Sequence, residues 1–313
     1  MVNRVAIVAV GGNALIKDNN HKTIYDQYDA ARDTVDHITN MIEDGWNVII
    51  THGNGPQVGF DMRRSELAAH ELHSVPLDYC DADTQGAIGY MFQRAMRNEL
   101  RRRGIDKVAA TLVTLVRVSA DDPAFNNPTK PVGSFLDEKT AQERRKEGKT
   151  MIEDAGRGWR RVVPSPQPVE IIEAEAINTL IKAGVVVIAT GGGGIPVVEN
   201  EVGDLVGIEA VIDKDYASSL LANVIDADLL LFATNVEKVA LNFNTPNETW
   251  LDKMTIAEAK QYIEEGQFAP GSMKPKIEAC IKYLENGGRQ VLVTDPKNIL
   301  RALKGETGTW IVP

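Results

Sequence analysis

The chain has 313 residues, of which 43% are hydrophobic and 25% charged, as in ordinary globular proteins. Its formal net charge of -10 argues against a general nucleic-acid binder, because such a protein needs a basic face to displace counterions from phosphates. Its two cysteines, Cys80 and Cys280, lie far apart and have no second cysteine or histidine at metal-ligand spacing. Neither a disulfide framework nor a protein-held metal is therefore indicated.

The first apolar run, Val5–Val10, is too short for a signal-peptide core and is followed by glycines rather than a cleavage site. No stretch approaches the roughly 20 apolar residues that span a bilayer. We therefore expect a cytoplasmic protein with no membrane partner.

Short apolar runs rich in β-branched residues mark the predicted strands. Three of them are followed by glycine-rich turns and cover residues 5–10, 47–51 and 185–190; two further strands are predicted at 229–233 and 290–294. Segments between them, such as 23–44 and 169–182, have helical periodicity. This alternation predicts an α/β fold with a parallel sheet covered on both faces. Because ligands bind beyond the carboxyl ends of such strands, the three turns should open onto one rim of the sheet.

The first two turns, Gly11-Gly12-Asn13 and Gly53-Asn54-Gly55, can each bring backbone N–H groups close to an anion. Neither matches the dinucleotide fingerprint or the P-loop, and Pro56 is predicted to start a helix. His52 is either a general base or a hydrogen-bonded structural residue. The structural interpretation is favoured: if the bound anion is a phosphoryl group that moves to an acid already deprotonated, the reaction needs no base.

The third turn contains four consecutive glycines, Gly191 to Gly194. Such a run is costly in unfolded-state entropy, and a simple turn seldom needs more than one or two. It predicts that something large approaches this backbone closely, so Gly192 and Gly193 are candidate phosphate contacts.

Two segments place lysines at predicted helix starts. Asp213-Lys214-Asp215 precedes a helical pattern. It is either a surface charge cluster in which Asp215 caps the helix, or a site where Lys214 neutralises phosphate oxygens while a neighbouring carboxylate fixes its position. Lys274 and Lys276 open the helix predicted over 277–286, where their charge opposes the helix dipole. A bound polyanion would relieve that opposition.

Residues 121–161 form a polar excursion with three prolines and a highly charged run over 137–153. The run is predicted to be a solvated helix. The excursion is a candidate lid that brings Lys130 back to the rim. Phosphoryl transfer needs two substrates held in line and positive charge around the moving group. The glycine-rich turns, the isolated lysines and one orienting aspartate could meet these needs, so the sequence favours this reaction.

The chain resembles carbamate kinases, a branch of the amino acid kinase superfamily, over essentially its whole length. An ordered set of motifs carries the resemblance: Gly-Gly-Asn-Ala (11–14), His-Gly-Asn-Gly-Pro-Gln-Val-Gly (52–59), Gln-Gly-Ala-Ile-Gly-Tyr (85–90), Asn-Pro-Thr-Lys-Pro-Val-Gly (127–133), Gly-Trp-Arg-Arg-Val-Val-Pro-Ser-Pro (158–166), 191–196, 207–215, Asn-Phe (242–243) and 268–276.

The resemblance implies a three-layer αβα sandwich on a mainly parallel sheet, as one domain over 1–313. Residues 1–205 would form an acid-binding lobe that carries the excursion, and 206–313 a nucleotide-binding lobe. It further implies a homodimer and reversible transfer between ATP and carbamate with Mg²⁺, in arginine metabolism.

The resemblance also implies residue roles. The catalytic set would be Lys130 reaching over the substrates, Lys214 stabilising transition-state charge, Asp215 orienting the lysines, and Lys276 contacting phosphate. Contacts to the phosphoryl group and carbamate would come from Gly11, Gly12, Asn13, Gly53, Asn54, Gly55, Gly192 and Gly193. Contacts to the nucleotide would come from Thr234, Asn235, Val236, Ala240, Asn242, Phe243 and Met273.

The sequence departs from the family pattern at several positions. Asn235 and Ala240 stand where the pattern has Asp and Tyr, and Asp81-Ala82-Asp83 is more acidic than usual. Three hypotheses follow: an active carbamate kinase, a related kinase for another small acid, and a catalytically weak nucleotide-binding sensor. Only Asn235 and Ala240 favour the sensor.

Overall fold

The computed structural model describes residues 4–11, 15–16, 21, 23–153 and 158–313. The helices are α1 (Ile24–Glu43), α2 (Gly55–Ala68), α3 (Leu77–Arg102), α4 (Glu138–Lys146), α5 (Ala174–Lys182), α6 (Lys214–Val224), α7 (Ile256–Glu264), α8 (Met273–Glu285) and α9 (Ile299–Leu303). In these ranges, no helix combines the length and the apolar character that a membrane span requires.

The strands are short and are numbered in chain order. They are β1 (Val5–Val10), β2 (Asn47–His52), β3 (Ala109–Thr111), β4 (Leu115–Val118), β5 (Lys130–Leu136), β6 (Met151–Glu153), β7 (Trp159–Val163), β8 (Pro168–Ile171), β9 (Val186–Ile188), β10 (Ile195–Glu199), β11 (Leu205–Gly207), β12 (Leu229–Ala233), β13 (Val239–Leu241), β14 (Thr249–Leu251), β15 (Lys253–Thr255), β16 (Val291–Thr294) and β17 (Thr309–Val312).

An eight-stranded sheet forms the centre of the fold, in the order β15-β17-β16-β12-β1-β2-β9-β3. Every pair from β16 to β3 is parallel, and only the β16–β17 pair is antiparallel. A smaller sheet, β11-β10-β4-β8, lies beside it. The predicted mainly parallel sheet is confirmed.

Alternate residues of β1 enter two separate cores, one on each face of the sheet. Ile7 and Ala9 lie in a core with residues of α5, α6 and α8, whereas Ala6 and Val8 lie in a core with residues of α1 and α3. A strand buried on both faces needs apolar residues at every position, which explains the unbroken apolar runs in the sequence. The three-layer αβα arrangement is therefore confirmed.

Some predicted elements differ in extent. The helical pattern over 169–182 is wrong at its start, because residues 168–171 form β8 and pair antiparallel with β4. Pro168 and the β-branched residues after it suit an edge strand, and the helix begins only at Ala174. α8 begins at Met273, earlier than predicted, so Lys274 and Lys276 lie inside the helix.

The excursion is a small sheet, β5-β7-β6, to which α4 is added. The predicted helix within the charged run exists, but it ends at Lys146 and the run continues into β6. β5 packs on α2 with backbone against backbone at Gly59 and Gly133. Arg144 of α4 also pairs with Glu66 of α2 at 2.9 Å. The excursion is thus held against α2 from its second turn to its last.

Gly59→Ala is expected to lower the free energy of unfolding by about 1–3 kcal/mol, because its Cβ would lie 1.8 Å from the Gly133 Cα and backbone cannot easily yield. Urea denaturation measures this change. Gly86→Ala is the matched control: Gly86 is exposed on α3 and an added Cβ would meet nothing within 4 Å, so this change should stabilise by about 0.5–1 kcal/mol. A Gly59→Ala protein as stable as the control would contradict the close packing of β5 on α2.

Candidate active site

The carboxyl ends of β12, β1 and β2 lie side by side, as the sequence predicts. Val10, the last residue of β1, is in register with His52 on one side and Ala233 on the other. β9 continues the row next to β2. The turns that follow these strands therefore open onto one rim, which we define as the carboxyl edge of β12, β1, β2 and β9.

In the turns after β1 and β2, the first backbone N–H group already donates a hydrogen bond to a neighbouring strand. Gly11 donates to a carbonyl of β12 at 3.2 Å, and Gly53 donates to a carbonyl of β1 at 3.1 Å. Backbone donors for a ligand must therefore come from residues farther along each turn. Gly12 and Asn13 lie outside the described residues.

Three lysines from distant parts of the chain meet two aspartates at the rim. Asp215 accepts hydrogen bonds from Lys214 through Oδ1 and from Lys276 Nζ through Oδ2, the latter at 2.8 Å. Asp213 pairs with Lys130 of the excursion and accepts the Asp215 N–H at 2.9 Å. Three positive against two negative charges leave a net charge of one positive unit, which favours an anionic ligand.

This cluster is not a surface feature. Lys214 and Asp215 are only 8% and 3% exposed, so the interpretation as a surface charge cluster is wrong. The N-cap of α6 is Asp213 rather than Asp215, because the helix already begins at Lys214. Asp213 therefore both caps α6 and pairs with Lys130. The sequence analysis did not predict this double role of Asp213.

The buried charges depend on one another. Burial lowers the pKa of Lys214, although Asp215 opposes that effect. Burial alone would raise the pKa of Asp215, but Lys214 and Lys276 lower it below its usual range. Burial likewise disfavours the charged form of Lys276, yet Asp215 outweighs it and the pKa of Lys276 rises. Asp215 is thus ionised because two ammonium groups replace its lost water.

A layer of hydroxyl groups fixes the start of α6 against β2. Ser218 Oγ donates to the Lys214 carbonyl at 2.6 Å, and Thr51 Oγ1 lies 2.6 Å from Ser218 Oγ. Since the Ser218 hydrogen is already donated, Thr51 is the donor in the second bond. The end of β2 thereby sets the position of Lys214.

His52 is buried at the rim and its ring stacks on Phe92 with centroids 5.9 Å apart. Burial lowers its pKa to about 4, so the ring is neutral at neutral pH. Its Nδ1 lies 3.3 Å from the Gly53 carbonyl. These contacts support the structural interpretation of His52.

The four glycines are required by the protein's own packing. A Cβ at Gly191 would lie 2.4 Å from His52 Nε2, and one at Gly192 would lie 2.2 Å from Asn54 Nδ2. The last three glycines of the run also have positive φ. The predicted close approach is real, but the approaching groups include the neighbouring turn after β2. Contacts of Gly192 and Gly193 with phosphate stay a prediction.

A buried face of α3 braces two of the turns, and sequence analysis did not single it out. Asp81 and Thr84 both accept hydrogen bonds from Asn54 Nδ2, at 3.0 and 2.9 Å. Gln85 Nε2 donates to the Gly191 carbonyl at 3.0 Å. Residues spaced i, i+3 and i+4 share one helix face. This spacing of polar residues, together with the unusual aspartate at position 81, could have indicated the bracing face from the sequence.

The predicted nucleotide contacts gather on and around the hairpin β13-β14. Thr234 donates its N–H to β16 at 2.9 Å, with Asn235 and Val236 directly after it. Ala240 is in register with Trp250, whose ring meets Phe243 edge to face at 6.3 Å.

One further contact ties the hairpin to the segment that leads into α8. The Asn242 N–H donates to Gln267 at 2.9 Å, which ties the hairpin to the loop before α8, and Met273 is the first residue of that helix. Among the described residues, no group of three or more His, Cys, Asp or Glu side chains is arranged to hold a metal ion.

The lowered pKa of His52 makes stability depend on pH. Between pH 4 and 6.5 the unfolded chain binds a proton at this ring that the folded chain does not, so stability should fall as the pH is lowered through this window. The loss at full protonation is on the order of 3 kcal/mol. Urea denaturation as a function of pH measures it.

His52→Gln should remove this pH dependence, whereas His70→Gln, at an exposed position, should keep it. Equal pH dependence in wild type and His52→Gln would contradict the assignment of the buried neutral ring.

Comparisons with known proteins agree with the motifs. The model of the amino acid kinase family matches residues 4–295. The chain is 48% identical to the carbamate kinase-like protein YahI of Escherichia coli and 47% identical to the carbamate kinase of Pyrococcus horikoshii, each over 98% of both chains. The solved structure of Giardia lamblia carbamate kinase bound to AMP-PNP superposes with a TM-score of 0.91, at 38% identity over 99% of both chains.

Proposed function

The chain belongs to the amino acid kinase family and groups with its carbamate kinases, and on this premise we propose that it transfers a phosphoryl group reversibly between ATP and carbamate. The observation that carries the proposal is the cluster of three lysines and two aspartates at the rim, in which Lys214 and Asp215 are buried. It gathers positive charge where two substrates can meet, which is the main requirement of phosphoryl transfer.

The lysines would act on the moving phosphoryl group. In the forward direction the γ-phosphoryl leaves the ADP oxygen and joins a carbamate oxygen, so carbamoyl phosphate and ADP are formed. Lys214 and Lys276 would stabilise the charge spread over the phosphoryl oxygens, with Asp215 fixing both ammonium groups. No base is needed, because carbamate is already an anion, and the neutral buried His52 fits that chemistry.

The acceptor would lie at the start of α2. Asn54 is the N-cap of this helix but makes no side-chain cap hydrogen bond, and no acidic residue lies in the first turn. Helix N-termini with free N–H groups bind small anions well. Lys130, held near by Asp213, would approach from the excursion.

The nucleotide would lie on the side of the hairpin and α8, and Mg²⁺ would arrive bound to its phosphates. The exposed rings of Phe243 and Trp250 offer aromatic surface near Ala240, where the family pattern has Tyr. The division into an acid lobe, 1–205, and a nucleotide lobe, 206–313, belongs to the same proposal. It is supported by Lys130 coming from the first segment and Lys214 and Lys276 from the second.

A cytoplasmic homodimer serving arginine metabolism completes the proposal. Two tyrosines on α3, Tyr79 and Tyr90, are 64% and 58% exposed and supply aromatic surface for a second copy. Both cysteines are free and buried, which suits a reducing compartment.

Lys214→Ala is expected to slow ATP formation from carbamoyl phosphate and MgADP by about 10³-fold, and Lys276→Ala by about 10²–10³-fold, because each removes an electrostatic contact to the transition state. A coupled assay of ATP measures both.

Lys274→Ala is the matched control on the same turn of α8. Its ammonium group is 3.9 Å from Glu278 on the partly exposed side, and its loss should change the rate by no more than about threefold. Absence of turnover in the wild type would contradict the function, and unchanged rates in both test variants would contradict the site.

A further inference from the structure

Asn54 is held in an unusual way for a helix N-cap. An asparagine at this position normally turns its side-chain oxygen back to the first N–H groups of its own helix. Here its Nδ2 donates to Asp81 and Thr84 on α3, at 3.0 and 2.9 Å, and its side chain makes no cap hydrogen bond to α2. The first turn of α2 therefore keeps its N–H groups for another partner.

The glycine turn after β9 also approaches the carboxamide of Asn54 closely. A Cβ at Gly192 would lie 2.2 Å from Asn54 Nδ2 and 2.4 Å from its Cγ, so only glycine fits there. Gly192 has a φ of 70°, which glycine adopts readily. The amide is thus fixed between α3 and the glycine turn after β9.

Asp81 is poorly satisfied as a purely structural residue. Its side chain is buried, and its Oδ2 has no hydrogen-bond partner within the described ranges of the chain. Burial raises the pKa of Asp81 well above its ordinary value, although the hydrogen bond from Asn54 opposes that effect, and Asp78 adds a smaller increase. A buried polar atom without a hydrogen-bond partner destabilises the fold. Natural proteins keep such atoms mainly at functional sites.

We infer that Asp81 is a positioning residue for the acceptor: by holding the Asn54 carboxamide against α3, it keeps the first turn of α2 open to a small anionic acid. The inference rests on the proposed function, since it takes the turn 53–55 as the acceptor site. Asp81 acts through Asn54 and does not contact the reacting atoms. The raised pKa of Asp81 disfavours a second negative charge beside the anionic acceptor.

Asp81→Ala tests this inference in the full-length enzyme. Once released, Asn54 can turn back and cap α2, so the KM for carbamoyl phosphate should rise about tenfold, while the KM for MgADP and kcat change by no more than about twofold. Because the variant also loses an unsatisfied buried carboxyl group, its thermal unfolding midpoint should not fall below that of the wild type.

Two variants separate positioning from a general packing effect. Asp81→Asn keeps a neutral acceptor for Asn54 Nδ2 and should restore the KM for carbamoyl phosphate to within about twofold of wild type. Asp83→Ala removes an exposed carboxylate two residues further on α3 and should leave every parameter unchanged. Should Asp81→Ala fail to fold, Thr84→Val, which removes the other acceptor for Asn54, should show the same selective rise in KM.

An unchanged KM for carbamoyl phosphate in Asp81→Ala would overturn the inference. So would equal rises in both KM values, or an Asp81→Asn protein as impaired as Asp81→Ala. Acetyl phosphate is assayed in parallel. If the wild type uses only acetyl phosphate, the carbamate assignment fails while the same comparison still tests Asp81; a wild type that uses neither compound contradicts both.

Discussion

One buried carboxylate holds the candidate site together. Asp215 receives Lys214 and Lys276 on its two oxygens, and all three groups are largely removed from water. Charges in such a place are tolerated only when they are paired and hydrogen-bonded, so neither lysine could stay there as an ammonium group without Asp215. In the proposed mechanism, the same pairing would fix both ammonium groups before any substrate arrives and so avoid reorganisation during the reaction.

The rest of the fold serves to bring these groups together. Parallel strands place the ends of β12, β1 and β2 in one row, and the Thr51–Ser218 contact positions α6 on that row. Asp213 caps α6 and also holds Lys130, so the excursion is tied to the same helix start. α3 then braces the turns after β2 and β9 through three side chains on one face. Stability and site geometry therefore depend on many of the same contacts.

Local patterns predicted the strands, the glycine-rich turns and the rim, because burial on both faces and tight turns restrict which residues can occur. Contacts between distant residues were not predictable in this way. The link between Asp213 and Lys130 spans 83 positions, and that between Asn54 and Asp81 joins two different helices. The run Gly191 to Gly194 illustrates this difference. Close contacts at these glycines were predicted, but the sequence could not indicate that His52 and Asn54 make them. The identity of the acceptor came from the family resemblance rather than from any single residue.

In the proposed mechanism, Asp215 keeps two lysines charged and in place for phosphoryl transfer. The most direct measurement is the single-turnover rate of ATP formation from carbamoyl phosphate and MgADP in Asp215→Asn, which keeps the shape of the side chain but removes its charge. We predict a rate about 10³-fold below wild type in a protein that still folds. A folded Asp215→Asn enzyme with a rate close to that of the wild type would contradict it.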